Sequence, residues 1–393
     1  MKKIYFGFLA LLFVFSGLNS FAQIYLTQNF DAAFVGTPAA PTGWTQTRTV
    51  ILGTGDITPV TNTAGEKDWQ QNVNTGTTAW TISPSTPGVL PNAAVSGTGV
   101  LYIQDRDYGS TSTFFGSRRI ESPASNLSAS TSPFVRFQYF NGNGNTLVNL
   151  RVVASLDGGI TWRPIASVSP NASSITSLAT GSPWQSINVP VPAAFRIAGA
   201  RFGIEMTNTW STNNMWIDNF SVEEFSPVTI TSAATGLWSA PATWVGGIAP
   251  NADNNVVIAA GHTITSDYIT ARCQNLIIDG TLQYTSTSVL LQAFGNLNIS
   301  STGTFISGTA TAGRPFLIGG NLNVAASGTL NFTPGTSTAG ALTWVGGAPQ
   351  SYSNAGTLSN GRIPNINHVN SSGVTYNSPL TATTTIGFNL GPV

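Results

Sequence analysis

Charged residues make up only 8% of the 393-residue chain, so the positions able to do chemistry are few. The two histidines, His262 and His368, sit far from each other and from any run of acids, which gives zinc ligation and general-base work no support. Cys273 is the single cysteine, excluding an internal disulfide and a thiolate metal site. Two acid pairs exist, Glu66 with Asp68 and Glu223 with Glu224, but neighbours in sequence point in different directions or into water. Beyond Pro227 the acids are Asp253, Asp267 and Asp279 and the bases Arg272, Arg314 and Arg362. A polysaccharide-degrading enzyme needs carboxylates gathered around the scissile bond. This inventory cannot gather them, and the chain reads as non-enzymatic.

Three constellations remain as binding or structural candidates. Asp31 and Asp218 lie at opposite ends of the first half, where first and last strands can meet in an antiparallel sandwich. Two such carboxylates, joined by backbone carbonyls, would suit Ca²⁺, a hard cation that selects oxygen donors. Alternatively each caps a turn or a bulge. The segment from Ser155 through Asp157, Gly159 and Thr161 to Trp162 follows the S-x-D-x-G-x-T-W pattern. There a carboxylate accepts backbone N–H bonds across a turn, and a glycine relaxes the backbone. Asp105 and Asp107 flank Arg106 in what reads as a solvated loop. Of ten tryptophans, Trp80 and Trp210 sit among polar loop residues and are the ones expected to stack on a sugar. Trp44, Trp162 and Trp216 read as core or hairpin packing.

The elements that must position these residues are strands. Thr, Val, Ile and aromatics fit pleated sheets, and Gly, Asn and Pro fit the turns between them. Up to Phe225 apolar residues recur at every second position, as in Phe134 to Phe140 and Met215 to Val222, the pattern of an antiparallel sandwich. After Pro227 repetition takes over. Asn275-Leu276, Asn296-Leu297 and Asn321-Leu322 each open a ten-residue unit, at offsets of 21 and 25 residues. One such unit cannot bury its own apolar side chains, and stacked units can, so a right-handed parallel β-helix is expected. Thr243-Trp244-Val245-Gly246-Gly247 returns at 343–347 and reads as repeated turn chemistry.

The N-terminus sets the compartment. Met1-Lys2-Lys3, an uncharged run from Ile4 to Phe15 and Ser20-Phe21-Ala22 form a signal peptide with cleavage after Ala22. The apolar run is too short to span a bilayer, which takes ~20 residues. Cleavage removes two lysines, leaving 13 basic against 15 acidic residues, so no basic surface exists for nucleic acid.

Asn29-Phe30-Asp31, Pro41 to Trp44, Arg119 to Pro123 and Trp216 to Val222 resemble the cleaved-adhesin and choice-of-anchor J jelly rolls secreted by Bacteroidota. Gly236 to Trp244, Pro250 and Val256 to His262 resemble the opening of a G8 domain. The S-x-D-x-G-x-T-W segment resembles the structural Asp box of sialidases. These resemblances imply a signal peptide (1–22), a jelly roll (23–225), a G8-like cap (226–274) and an unfinished β-helix (275–393) in a type IX secretion cargo whose sorting domain is not seen. They also imply a structural calcium. The function expected is a non-catalytic, adhesin-like surface protein whose jelly roll takes a glycan or a protein, presented on a solenoid spacer. The alternatives are a purely architectural module and, least favoured, a β-helix polysaccharide-degrading enzyme.

Overall fold

A computed structural model describes residues 23–35, 40–51, 57–59, 70–73, 94–104, 115–141, 149–167, 184–208, 214–268, 270–285, 290–309, 312–333 and 340–388. The signal peptide, Glu66, Asp68, Trp80, Asp105, Asp107 and Trp210 lie outside the described residues. The described chain is all-β apart from three single-turn 3-10 helices. No described helix is long and apolar enough to cross a membrane.

The first half folds into two antiparallel sheets. One orders Gln185–Pro190, Pro133–Asn141, Asn214–Glu224, Gly99–Gln104 and Gln70–Val73, with Ile24–Gln28 also paired to Asn214–Glu224. The other orders Arg163–Ser167, Asn149–Ser155, Ala198–Asn208, Phe115–Glu121, Thr45–Ile51 and Ile57–Pro59. Period-two alternation sends Phe137, Ile217 and Phe220 from the first sheet, and Val152, Ile204 and Ile120 from the second, into one core. Trp44 packs edge-on against Phe220 with ring centroids 5.1 Å apart.

From Val228 on, every strand pairing among the described residues is parallel, apart from one short hairpin at Gly308–Gly313. Three sheets of seven, six and six strands run down its length, about six turns of a β-solenoid. Register alignment builds continuous apolar columns. Val256, Leu276, Leu297, Leu322 and Tyr352 sit one above another, all fully buried. Burying each such side chain contributes about 1.5–3 kcal/mol. Gly303 lets the coils close up, because a Cβ there would lie 2.0 Å from the Ile278 carbonyl oxygen.

At one corner the asparagines that open each unit stack in a ladder. The Oδ1 atoms of Asn255, Asn275, Asn296 and Asn321 accept the backbone N–H of Asn275, Asn296, Asn321 and Ser351 at 3.1, 2.8, 2.7 and 2.8 Å. Uncharged amides can repeat at every coil, whereas stacked carboxylates or ammonium groups would repel.

The sandwich lies against the solenoid flank and is not merely tethered to its end. Phe294 and Ala252 from the solenoid join the sandwich core cluster. The edge strand Gln185–Pro190 faces the coils. Arg272 Nη1 donates to Gln185 Oε1 at 2.6 Å, and Gln274 Nε2 donates to the Asn188 and Ala252 carbonyls at 2.8 and 2.6 Å. Arg136 bridges both halves, pairing with Glu223 and with Asp253 Oδ1, the latter at 3.1 Å. Asp253 also accepts a hydrogen bond from Asn188 Nδ2. On the second sandwich sheet, Ala166 forms an antiparallel bridge with Gly346.

That contact corrects the reading of the repeated Thr-Trp-Val-Gly-Gly segment. Gly246 and Gly247 take positive φ of 84° and 67° in an open turn. Gly346 and Gly347 do not; they are close-approach positions, where a Cβ would meet the Gly319 carbonyl oxygen at 2.1 Å and Ile165 Cα at 2.4 Å. The same five letters serve a turn in one copy and clearance in the other.

Candidate functional site

Asp31 and Asp218 are brought to the point along Asn214–Glu224 where pairing with Ile24–Gln28 gives way to pairing with Gly99–Gln104, on either side of residues 95–99. Asp31 Oδ1 accepts the N–H groups of Thr98 and Gly99, both at 2.7 Å. Asp218 Oδ2 accepts those of Val95 and Ser96 at 2.9 and 3.0 Å, and its Oδ1 that of Asn219 at 2.7 Å. Phe30 and Asn219, each beside one aspartate, both carry left-handed backbone, with φ of 59° and 52°. Three successive carbonyls, of Phe30, Asp31 and Ala32, lie 2.8–3.0 Å from Gln71 Nε2. Asp218 is fully buried. Its carboxyl is held above the usual carboxylate range, chiefly by burial, with the Asp31 charge adding to the rise and backbone N–H bonds opposing it. Among the described residues no three His, Cys, Asp or Glu side chains converge. A cation here would therefore rest on two carboxylates and on carbonyl oxygens.

The Ser155–Trp162 segment is a locally closed hairpin. Asp157 Oδ1 accepts the N–H of Ile160 at 3.1 Å and of Thr161 at 2.9 Å, and Oδ2 accepts the Thr161 hydroxyl at 2.6 Å. Ser155 Oγ donates to Asp157 at 2.8 Å and accepts the Gly159 N–H at 2.9 Å. The Thr161 hydrogen bonds lead in holding the Asp157 carboxyl far below its usual range. Trp162 Nε1 donates to the Gly159 carbonyl at 2.9 Å. Sequence order does not reveal what lies behind it. Arg119 stacks 4.7 Å over Trp162 and is neutralised by Glu121 at 2.9 Å and Glu205 at 3.0 Å.

The acids that adjacency had paired are separately engaged. Glu223 binds Arg136. Glu224 accepts the N–H groups of Thr131 and Ser132 and the Tyr25 hydroxyl.

A feature that the sequence did not single out sits on the outer face of the first sheet. Tyr102, Phe140 and Trp216 project away from the core and form a separate cluster with Val100, flanked by half-buried Trp184. Ring centroids are 5.2 Å apart for Tyr102–Trp216, 5.8 Å for Phe140–Trp216 and 6.0 Å for Phe140–Trp184. Trp216, read from sequence as core, is fully buried but on this outer layer. Its Nε1–H and the neighbouring Gln138 Oε1 have no hydrogen-bond partner among the described residues. Alternation could have placed Trp216 opposite Ile217, but nothing in the sequence told which side faced the partner sheet. Trp44 and Trp162 are also buried.

The arrangement defines a β-sandwich fused along the flank of a parallel β-solenoid. Within the solenoid, residues 243–338 match the G8 domain, a stretch that runs from Thr243 through all three Asn-Leu units. No curated protein matches the chain. Among solved structures, the chain is similar to the K1 cleaved adhesin domain of Lys-gingipain from Porphyromonas gingivalis W83. Identity there is 13%, the match covers 51% of this chain and 98% of that one, and the TM-score is 0.30. It is also similar to TmCBM61 in complex with β-1,4-galactotriose, at 13% identity, covering 49% of this chain and 97% of that one, with a TM-score of 0.25.

Proposed function

We propose that this chain is an exported, non-catalytic, adhesin-like surface protein whose sandwich binds a glycan or a protein. The observation that carries the reading is Trp184, the half-buried ring at the rim of the aromatic layer outside the sandwich core. It packs on Phe140 with ring centroids 6.0 Å apart, while Tyr102, Phe140 and Trp216 are buried and support it. Indole faces stack on sugar rings, and a few polar atoms fix orientation. We assign Trp210 and Trp80, which lie outside the described residues, as further contacts. Export is supported by the basic, apolar and small-residue succession at 1–22. Absence of catalysis is supported by the separate engagement of Glu223 and Glu224 and by the low charge of the coils.

Ca²⁺ is proposed as a structural ion held by Asp31 and Asp218. The supporting observation is a fully buried carboxylate beside a second acid, with nearby carbonyls of the kind calcium selects. The polar clamp between sandwich and solenoid favours a second reading, a rigid architectural module. A glycan array probed with residues 23–393 separates the two. Retention of defined glycans, lost in Trp184→Ala or Trp210→Ala, supports binding; a blank array leaves the architectural reading.

A further inference from the structure

The outer face of the seven-stranded solenoid sheet carries a second column beside the asparagine ladder: Val257, Ile277, Asn298, Asn323 and Ser353 in register, continued by Asn377, which hydrogen-bonds to Ser353. These side chains point outward between buried neighbours. Leu297 and Ile299 flank Asn298 in the core, as Leu322 and Val324 flank Asn323. Coils repeat at about 4.8 Å, so the run from Ile277 to Asn377 is roughly 19 Å long. It floors an open groove of about 460 Å³, walled by Ser300, Ala325, Asn354 and Ser378. That volume lies within the ~300–1,000 Å³ of small-molecule clefts. No residue lining it is charged.

Each amide of the column spends one group on its neighbour. Asn323 Nδ2 donates to Asn298 Oδ1 at 3.0 Å, and Asn377 Nδ2 donates to Ser353 Oγ at 3.1 Å. The Nδ2 of Asn298 and the Oδ1 atoms of Asn323 and Asn377 keep hydrogen-bonding capacity for the groove. The column therefore offers a donor, then acceptors, at coil spacing, next to the apolar surface of Ile277, which is 38% exposed. We infer that this groove binds an extended, uncharged polysaccharide. Three features select that class. A sugar chain repeats hydroxyls at a spacing near one coil. Its C–H faces match Ile277, and a groove without a cation gives nothing to a uronate or a sulfate.

The site lies on the solenoid and stands independently of the aromatic layer on the sandwich. Affinity electrophoresis of residues 23–393 through gels containing β-1,3/1,4-glucan, xyloglucan or galactan, with polygalacturonate as the anionic comparison, tests it. At least one neutral polymer is expected to retard the protein and polygalacturonate is not. Asn298→Ala/Asn323→Ala should weaken retardation tenfold or more. Should that variant misfold by circular dichroism, Ser353→Glu, which places bulk and charge in the groove from a half-exposed position, should do the same. Trp184→Ala should leave this retardation in place. Absence of retardation by every neutral polymer, retardation that survives the groove variants, or its loss in Trp184→Ala would each overturn the assignment; the last would leave binding by the sandwich intact.

Discussion

The side-chain oxygen of Asn296 accepts the backbone N–H of Asn321, 25 residues later in the chain and one coil further along the stack, at 2.7 Å. The same bond recurs one coil earlier, from Asn296 N–H to Asn275 Oδ1. Each amide thus satisfies a corner donor that no β-ladder reaches. Asn296→Ala would leave the Asn321 N–H without its partner, at a cost of about 1–3 kcal/mol. Urea unfolding followed by far-ultraviolet circular dichroism should show the midpoint falling accordingly, with little change in slope.

That ladder was legible because a solenoid writes its geometry into the sequence: Asn275, Asn296 and Asn321 repeat at coil length, and the leucine after each falls in the core. Alternation around Phe137 and Ile217 likewise announced the sandwich, and the ends of that half pointed to Asp31 and Asp218 as spatial neighbours. What pairs across long separations left no such trace. Arg136 and Asp253 are 117 residues apart, and neither lies in a repeat. Trp216 could be assigned to a strand but not to a side of it. Gly347 was invisible because its constraint comes from Ile165, a residue of the other half.

The clamp predicts a single cooperative unit. Gly347→Val would drive its side chain into the Ile165 backbone, an overpacking that costs about 1–3 kcal/mol. Scanning calorimetry should resolve one transition for the parent chain and two for Gly347→Val, with the lower one assigned to the sandwich. One transition in both would mean that the halves do not communicate through this contact.

Calcium and pH should act together on Asp218. Its folded pKa stands above the ordinary 3.8, so the native state holds the proton more tightly than the unfolded one. The sandwich is then expected to lose stability as pH rises from that ordinary value through the raised folded one. Calcium held there as proposed would favour the ionised carboxylate and should offset the loss, by about 2.7 kcal/mol at a hundred times its dissociation constant. The melting midpoint at neutral pH should fall on adding EDTA in the parent chain and stay put in Asp31→Asn/Asp218→Asn.

Asp157 has the opposite sign. Its folded pKa is depressed by the Thr161 and Ser155 hydrogen bonds, so its contribution is present above the ordinary 3.8 and disappears as pH falls toward the depressed value. Asp157→Asn should lower the melting midpoint at neutral pH and bring parent and variant closer together in strong acid. Midpoints measured across that acid range check the sign directly.

Equilibrium binding with recovery of the ligand tests glycan binding without catalysis most directly. Residues 23–393 carrying Asn298→Ala/Asn323→Ala, which disables the solenoid groove, are titrated calorimetrically with the oligosaccharide that ranks first on the array, and the sugar is then recovered and sized by chromatography. Saturable heat, loss of that heat in Trp184→Ala, and an oligosaccharide returned at its original length are the predicted result. Shortened oligosaccharide, or binding indifferent to Trp184, would contradict it.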